Sequence, residues 1–527
     1  MARRLLFTLR MKIRNAALLA SCISLAACAA VPPTQGGSNA NDRSNGGEQG
    51  EALLTGAMVI SPDGKYALAQ RNQTSVLIDL QAKTANELPW QAERFVFAKN
   101  GGVAFAILPN AGDVIAFDLA SRKEKWRVTP AFVTSAGASL ARASDDGKHL
   151  LLGDYDRVLV LDAENGAVRN ALHIGSIPTD LAFVPGSAHA LVVGTTRWAD
   201  HKPLTDVVDV DLANLATKPI QVPNCNAPIE VLPDASRAFL SPTFCEEGVQ
   251  STGQQKWTNP DPVSVIDLPA DGPHFLKNLP GFGPVAMTPG GAKVVAYLDM
   301  QRIDRTMFDD QAQIPSDSGP RYHIMTIDPK TLAFQLSPIG NVLPRFALTK
   351  DGKSLLVDAT VQQFRGEATV KATIDSSGKI SASIQVFGKT DSLFGTFDLS
   401  TNAYTAFAGQ PASLDRFVQM GDNKRVFTLK MLADGSGGSL YRIDIGGGTA
   451  VSLNKSLRDI GLLADESTLL LRERLPAVQV QTSAGVDWYR REQYCLSLDG
   501  VSMLSCIDFQ DSKPFQSGPK CTDYHDC

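Results

Sequence analysis

The sequence lacks an excess of charge of either sign. Its 50 Lys and Arg against 55 Asp and Glu leave a net charge of −5. That excludes a nucleic-acid surface, which needs a basic excess, and it is too slight to imply a cationic partner. The familiar catalytic signatures are missing as well. There is no Gly-x-Ser-x-Gly elbow, no His-Glu-x-x-His and no P-loop. Gly446-Gly447-Gly448 has no helix after it and reads as a turn. The seven histidines are scattered. His189 and His201 are the two that a metal site would draw on, but a surface or core role suits them better. Asp206, Asp209 and Asp211 alternate along a strand end in a pattern that calcium uses, and a solvated strand edge accounts for it more simply. The reading therefore carries no catalytic residue, no metal and no cofactor.

The N-terminus is a targeting segment. Arg3, Arg4, Arg10, Lys12 and Arg14 precede an apolar stretch from Ala16 to Ala27. At about twelve residues it is too short to span a bilayer of about 30 Å as a helix. It ends in Leu25-Ala26-Ala27-Cys28. This order resembles the lipobox of bacterial lipoproteins, which implies cleavage before Cys28 and attachment of acyl chains to it. An overlapping Leu19-Ala20-Ser21-Cys22 would shorten the apolar segment to about half. Each buried CH₂ contributes about 0.8 kcal/mol, and several chains hold where one does not. Ala29 after Cys28 resembles the outer-membrane sorting pattern of enteric lipoproteins. The expectation is a protein of the bacterial cell envelope, lipid-anchored at the outer membrane.

Six further cysteines remain: Cys225, Cys245, Cys495, Cys506, Cys521 and Cys527. An even number in an exported chain suggests disulfides. None is in Cys-x-x-Cys spacing, and the pairing is not deducible.

Val31 to Glu51 is rich in Gly, Asn, Ser and Gln and has almost nothing apolar. It cannot bury a core and reads as a disordered tether, with a root-mean-square reach of about 25 Å. From Leu54 onward one unit recurs. A polar turn with Gly or Asp leads to a short aliphatic strand, then a second strand closes on or near Asp. Ser61-Pro62-Asp63-Gly64-Lys65 precedes Tyr66 to Ala69 and Ser75 to Leu80. Ser144-Asp145-Asp146-Gly147-Lys148 precedes His149 to Leu152 and Val158 to Asp162. Lys350-Asp351-Gly352-Lys353 precedes Ser354 to Val357 and Leu393 to Leu399. Nine such units follow one another, most turns spaced by roughly 40 to 70 residues, against about 40–45 for a propeller blade. No long amphipathic helix competes.

A unit of three or four strands has too small a core to stand alone, and closing a ring buries each face and removes the edges. The expected fold is all-β: a single β-propeller of about eight four-stranded blades, in a range of seven to nine, because the last unit could be irregular or shared in closing the ring. The expected organisation is a signal peptide at 1–27, a tether at 28–52, a propeller at 53–510 and a disulfide-stapled tail at 511–527. Ser61 to Lys65 resembles the turn of WD40-like and TolB-type repeats. Val114 to Trp126 and Val158 to Val168 resemble blades of PQQ-type propellers. The Trp at the PQQ spacing occurs only at Trp126, so the resemblance implies the fold and not the cofactor.

In such a blade the Asp-Gly-Lys turn joins strands a and b at one end of the ring, and the b–c and d–a connections lie at the other. The b–c connections are short in the first three units. They lengthen in the next four: Thr195 to Asp206, Phe244 to Pro262, Asp299 to Tyr322, and Val361 to Ser392. The last carries its own hairpin pattern from Glu367 to Phe387. Leu475 to Glu492 is a further long one. Connections of that length are uncommon unless functional. Trp198, His201, Trp257, Phe308, Tyr322 and Phe364 lie in or beside them as candidate partner contacts. Cys225 and Cys245 belong to that same end. The expected function is a non-catalytic binding scaffold for another envelope protein or polymer. The alternative is a propeller hydrolase or lactonase with a metal-assisted site at the central channel.

Overall fold

Each unit starts with a turn built from its own side chains. In the first, the Ser61 hydroxyl donates to Asp63 Oδ1 at 2.6 Å and accepts from the Tyr66 N–H at 3.0 Å, while Gly64 takes a φ of 69°. Ser144 with Asp146 and Thr349 with Asp351 repeat the arrangement. Each such turn reverses the chain between strands a and b. A second device ends strand c. There a carboxylate accepts from backbone N–H groups two and three residues on, as Asp398 does from Ser400 and Thr401, both at 2.8 Å. Asp79, Asp162, Asp328 and Asp499 do the same. Such side-chain turns are what Asp and Ser offer a chain that must reverse every few residues.

The computed structural model describes residues 58–70, 74–108, 112–132, 138, 140–144, 146–199, 202–242, 262–300, 320–340, 345–363, 368–374, 380–386, 389–409, 414, 416–432, 437–483, 485–514 and 516–518. They all fall in one unit, 41–527. They form nine four-stranded antiparallel sheets, each paired in chain order a-b-c-d. These are blades 1 to 9, at 58–87, 94–128, 140–173, 178–222, 229–279, 282–340, 345–406, 416–457 and 459–510. First strands of neighbouring blades lie against one another, so strand a is innermost. Blade 8 adds the two-residue strand Ala408–Gly409, and blade 9 adds Gln516–Gly518.

The core lies between blades rather than within one. Leu68 and Leu77 of blade 1 pack with Phe95, Phe97 and Ile115 of blade 2. Val96 and Phe105 of blade 2 pack with Leu150 and Leu152 of blade 3. Burying each such side chain contributes about 1.5–3 kcal/mol, and no blade supplies both walls itself. The ring closes the same way. Ala67, Val76 and Ile78 of blade 1 pack with Leu470, Tyr494, Ile507 and Phe509 of blade 9.

The chain is thus a nine-bladed β-propeller, at the upper end of the expected range. The last unit contributes four strands of its own, Asp459–Leu462, Leu469–Thr482, Gly485–Ser497 and Met503–Gln510. No described strand is shared across the closing seam, so all nine repeated units become blades.

Candidate functional site

Nine a–b turns gather at one end of the ring, and the b–c hairpins rise from the other. Three hairpins stand out beyond their sheets. In blade 4, His189–Ala199 pairs with Lys202–Asp211 across a register shift between Val193 and Thr196. In blade 7, Ser354–Gln363 pairs with Lys389–Asp398, and a second hairpin, Ala368–Ile374 with Ile380–Val386, is inserted between them. In blade 9, Leu469–Thr482 pairs with Gly485–Ser497. The long connections of blades 5 and 6, at 243–261 and 301–319, lie outside the described residues.

The blade 4 hairpin stands on a polar base. Asn224, fully buried in the d–a connection, donates from Nδ2 to the Pro262 carbonyl at 2.6 Å and the Ser264 hydroxyl at 2.8 Å. Its own carbonyl accepts from Thr205 Oγ1 at 2.8 Å. Thr196 Oγ1 donates to Asn226 Oδ1 at 2.7 Å and accepts the Asn226 N–H at 2.6 Å. Cys225, between the two asparagines, is disulfide-bonded, and its partner lies outside the described residues. Blades 4 and 5 are thereby joined beneath the projecting strands. Buried polar groups that are fully paired hold one arrangement, so the hairpin is presented from a rigid mount.

Charged side chains of blades 2, 3, 4, 7, 8 and 9 lie on the inner two strands toward the same end. Arg142 of blade 3 meets Asp180 of blade 4 at 3.5 Å, and Asp180 accepts the Ile229 N–H of blade 5 at 2.8 Å. Arg416 of blade 8 is ion-paired with the fully buried Asp459 of blade 9, and Asp459 accepts the Met58 N–H of blade 1 at 2.7 Å. Asp358 of blade 7 accepts the Leu414 N–H at 3.1 Å. Arg472, also fully buried, makes two bonds to Glu492, at 3.1 and 3.0 Å, and donates to the Gln70 carbonyl of blade 1 at 3.1 Å. Burial pulls the Arg472 guanidinium down, but Tyr494, Glu492 and Asp459 outweigh it and hold it above its ordinary value. At Arg94 of blade 2 burial wins, Glu93 opposing it and Arg142 adding to it, so that guanidinium is lowered. These groups answer backbone groups at or near the start of the next blade: the inner-strand N–H groups of Ile229 and Met58, the N–H of Leu414 just before its strand, and the carbonyl of Gln70 in strand b. Asp180, Asp358 and Asp459 are therefore inter-blade staples.

The residues anticipated from sequence separate on this scaffold. Trp198 sits half-buried on the blade 4 hairpin, paired across from Pro203. Tyr322 is not a surface contact. It is 7% exposed, packed with Tyr297, Ile339 and Phe346, because it opens strand c of blade 6 rather than ending the connection before it. His201, Trp257, Phe308 and Phe364 lie outside the described residues, as do Cys245, Cys521 and Cys527. His189 hydrogen-bonds Asp209 at 2.9 Å, Asp206 pairs with Arg197 at 3.5 Å, and Asp211 caps a turn through the Ala213 N–H at 2.8 Å. The alternating aspartates thus have three separate partners. Among the described residues no group of three His, Cys, Asp or Glu side chains could hold a metal ion.

The tail corrects an expectation. Cys495 and Cys506 bond to each other, as directly opposed residues of strands c and d in blade 9. They are not available to staple residues 511–527. The described part of that segment is held by Ser512, whose N–H donates to Glu87 of blade 1 at 3.1 Å, and by Gln516–Gly518 pairing with Val486–Trp488. The staples themselves were missed from sequence. For Asp180 and Asp459, and for Arg416 that pairs with Asp459, the signal is a charged residue four positions before the a–b turn, in a short and mostly apolar strand; Asp358, in strand b, carries no such signal.

No protein-family model and no curated protein matches the chain. Solved structures similar to it include propeller domains. The C-terminal WD40 domain of Sif2 is 9% identical, over 80% of this chain and 93% of that one, with a TM-score of 0.41. The β-propeller domain of Cps50 (Swd1) from Myceliophteria thermophila is 9% identical, over 65% and 100%, with a TM-score of 0.35. Dihydro-heme d1 dehydrogenase NirN is 12% identical, over 89% and 77%, with a TM-score of 0.39. Likeness at this level extends to the fold and no further, and the blade topology decides the fold by itself.

Proposed function

We propose that this chain is a lipid-anchored protein of the bacterial cell envelope. Its propeller binds a protein or envelope polymer, without catalysis, through the hairpin-bearing end. The observation that supports this most is the concentration of projecting hairpins at one end of a ring whose other end is closed by tight turns. Rigid scaffolds commonly carry binding residues on such projections. Met58, where the described chain begins, enters its strand at the hairpin-bearing end.

Two experiments test the two halves of the reading. Removing 361–392, the blade 7 insertion, is expected to abolish capture of the envelope partner while leaving export and melting temperature unchanged; undiminished capture would reject that surface. Palmitate labelling is expected to disappear in Cys28→Ser and persist in Cys22→Ser. Labelling that survives Cys28→Ser would reject the anchor.

A further inference from the structure

Among the described residues the blade 9 hairpin has one edge covered by strands and one that no strand pairs with. Strand Gly485–Ser497 pairs with Met503–Gln510 along 491–497 and, nearer the tip, with Gln516–Gly518 at 486–488. Its companion, Leu469–Thr482, pairs with the inner strand only from Leu469 to Arg472. Past Arg472 no other described strand pairs with that side. The part nearest the tip reads Ala477-Val478-Gln479-Val480-Gln481-Thr482. It has no charge, no proline and no glycine. Natural edges are normally guarded by such charges and prolines, because unpaired N–H and C=O groups recruit other strands. Here residues 479–481 are exposed, Val480 at 39%.

The register says what fits. Thr482 pairs with Gly485 across a two-residue connection. In such a hairpin the closing pair, and every second pair below it, exchange both hydrogen bonds. Residues 478, 480 and 482 therefore turn their backbone groups inward, and 477, 479 and 481 turn theirs to the bare side. The side chains are symmetric about Val480: a β-branched residue lies two positions away on either side, and a glutamine one position away. An antiparallel second copy centred on Val480 sets like against like. Val480 faces Val480 as a close, non-hydrogen-bonded pair, Val478 faces Thr482, and Gln479 faces Gln481 with backbone hydrogen bonds exchanged.

We propose that this edge is a self-association surface, on which a second copy of the chain pairs antiparallel across a two-fold axis at Val480. A contact between two short strands is smaller than the roughly 1,200 Å² of a stable interface. Pairing is accordingly weak in dilute solution and strengthened where copies are held together, as on a membrane surface. The proposal does not depend on the partner-binding reading, whose test removes a different hairpin.

The test uses the full chain. Val480→Cys places two thiols on Cα atoms about 4.5 Å apart, within the span that a disulfide bridges. Under mild oxidation it is expected to give a covalent dimer on a non-reducing gel, above the level of the wild-type chain with its native cysteines. Val478→Cys alone is expected to give none, and Val478→Cys with Thr482→Cys to restore it. Val480→Lys, which sets like charges face to face, is expected to weaken association in sedimentation equilibrium by roughly ten-fold at an unchanged melting temperature. Equal cross-linking by Val480→Cys and Val478→Cys would overturn the register. A wild-type chain that stays monomeric at every concentration, with Val480→Cys no more dimeric than wild type, would overturn the surface. Cross-linking of Val480→Cys to a different protein would give the edge to a foreign strand and overturn self-pairing.

Discussion

At the scale of single residues, the recurring aspartates carry the repeat. Each ends a strand c and holds the next turn through its carboxylate, which requires the ionised form. At Asp398 the side-chain hydrogen bond from Ser400 and the backbone N–H groups of Thr401 and Ser400 lower the pKa from 3.8 to about 2, against a small opposing effect of burial. A folded-state pKa below the unfolded one adds stability above the unfolded value and loses it as pH falls through the folded value. Asp398→Ala is expected to lower stability at pH 7 by about 1 kcal/mol, since hydrogen bonds to an exposed charge are worth little more. The gap between wild type and variant, read as urea midpoints, is expected to shrink steadily between pH 3.8 and about pH 2. A gap that stays constant over that window would show that the carboxylate charge is not what holds the turn.

At the scale of elements, what sequence shows best is what faces a core. The aliphatic runs of strands b and c were legible because both of their faces meet a neighbouring blade: Leu150 to Leu152 and Val158 to Leu161 are all buried. The inserted hairpin of blade 7 was legible too, since its two strands, Ala368–Ile374 and Ile380–Val386, flank an unmistakable turn sequence. The hairpins of blades 4 and 9 were read as loops. Past the ring their strands pair mainly with each other, joined in blade 9 only by the short strand Gln516–Gly518, and have no core to face, so their residues need not be apolar or alternate. Proline and register shifts, at Pro203 and between Leu475 and Val478, hide them further. The inner strands were faint for a related reason. They are three to six residues long and carry staple charges where an apolar residue would have marked them. Of the four cysteines expected to bridge the tail, Cys495 and Cys506 instead face each other inside one blade, a pairing that number and spacing alone do not reveal.

At the scale of the whole molecule, one seam differs from the other eight. Blades 9 and 1 are consecutive in space but lie at opposite ends of the chain, so no peptide joins them there. What holds them is the apolar wall around Tyr494 together with Arg416–Asp459–Met58 and Glu492–Arg472–Gln70. On the other end of the ring the turns close in as well: a Cβ on Gly64 would lie 2.8 Å from that of Ala464, so only glycine lets the two turns approach. The same charged triplet recurs at Arg142–Asp180–Ile229, where the chain runs on unbroken from blade 4 to blade 5. This repetition separates the local cost of losing a staple from the cost of opening the ring. Asp459→Asn removes the fully buried anion of the partly buried Arg416, a loss of about 3 kcal/mol for a broken buried pair. Asp180→Asn is expected to cost less, because the continuous chain keeps blades 4 and 5 together with little entropy to regain. Hydrogen exchange is expected to rise in Asp459→Asn chiefly at Met58 to Gln70 and Asp459 to Arg472, while blades 4 and 5 stay protected. If both variants lost the same stability, with exchange rising evenly round the ring, the terminal seam would not be where this propeller opens.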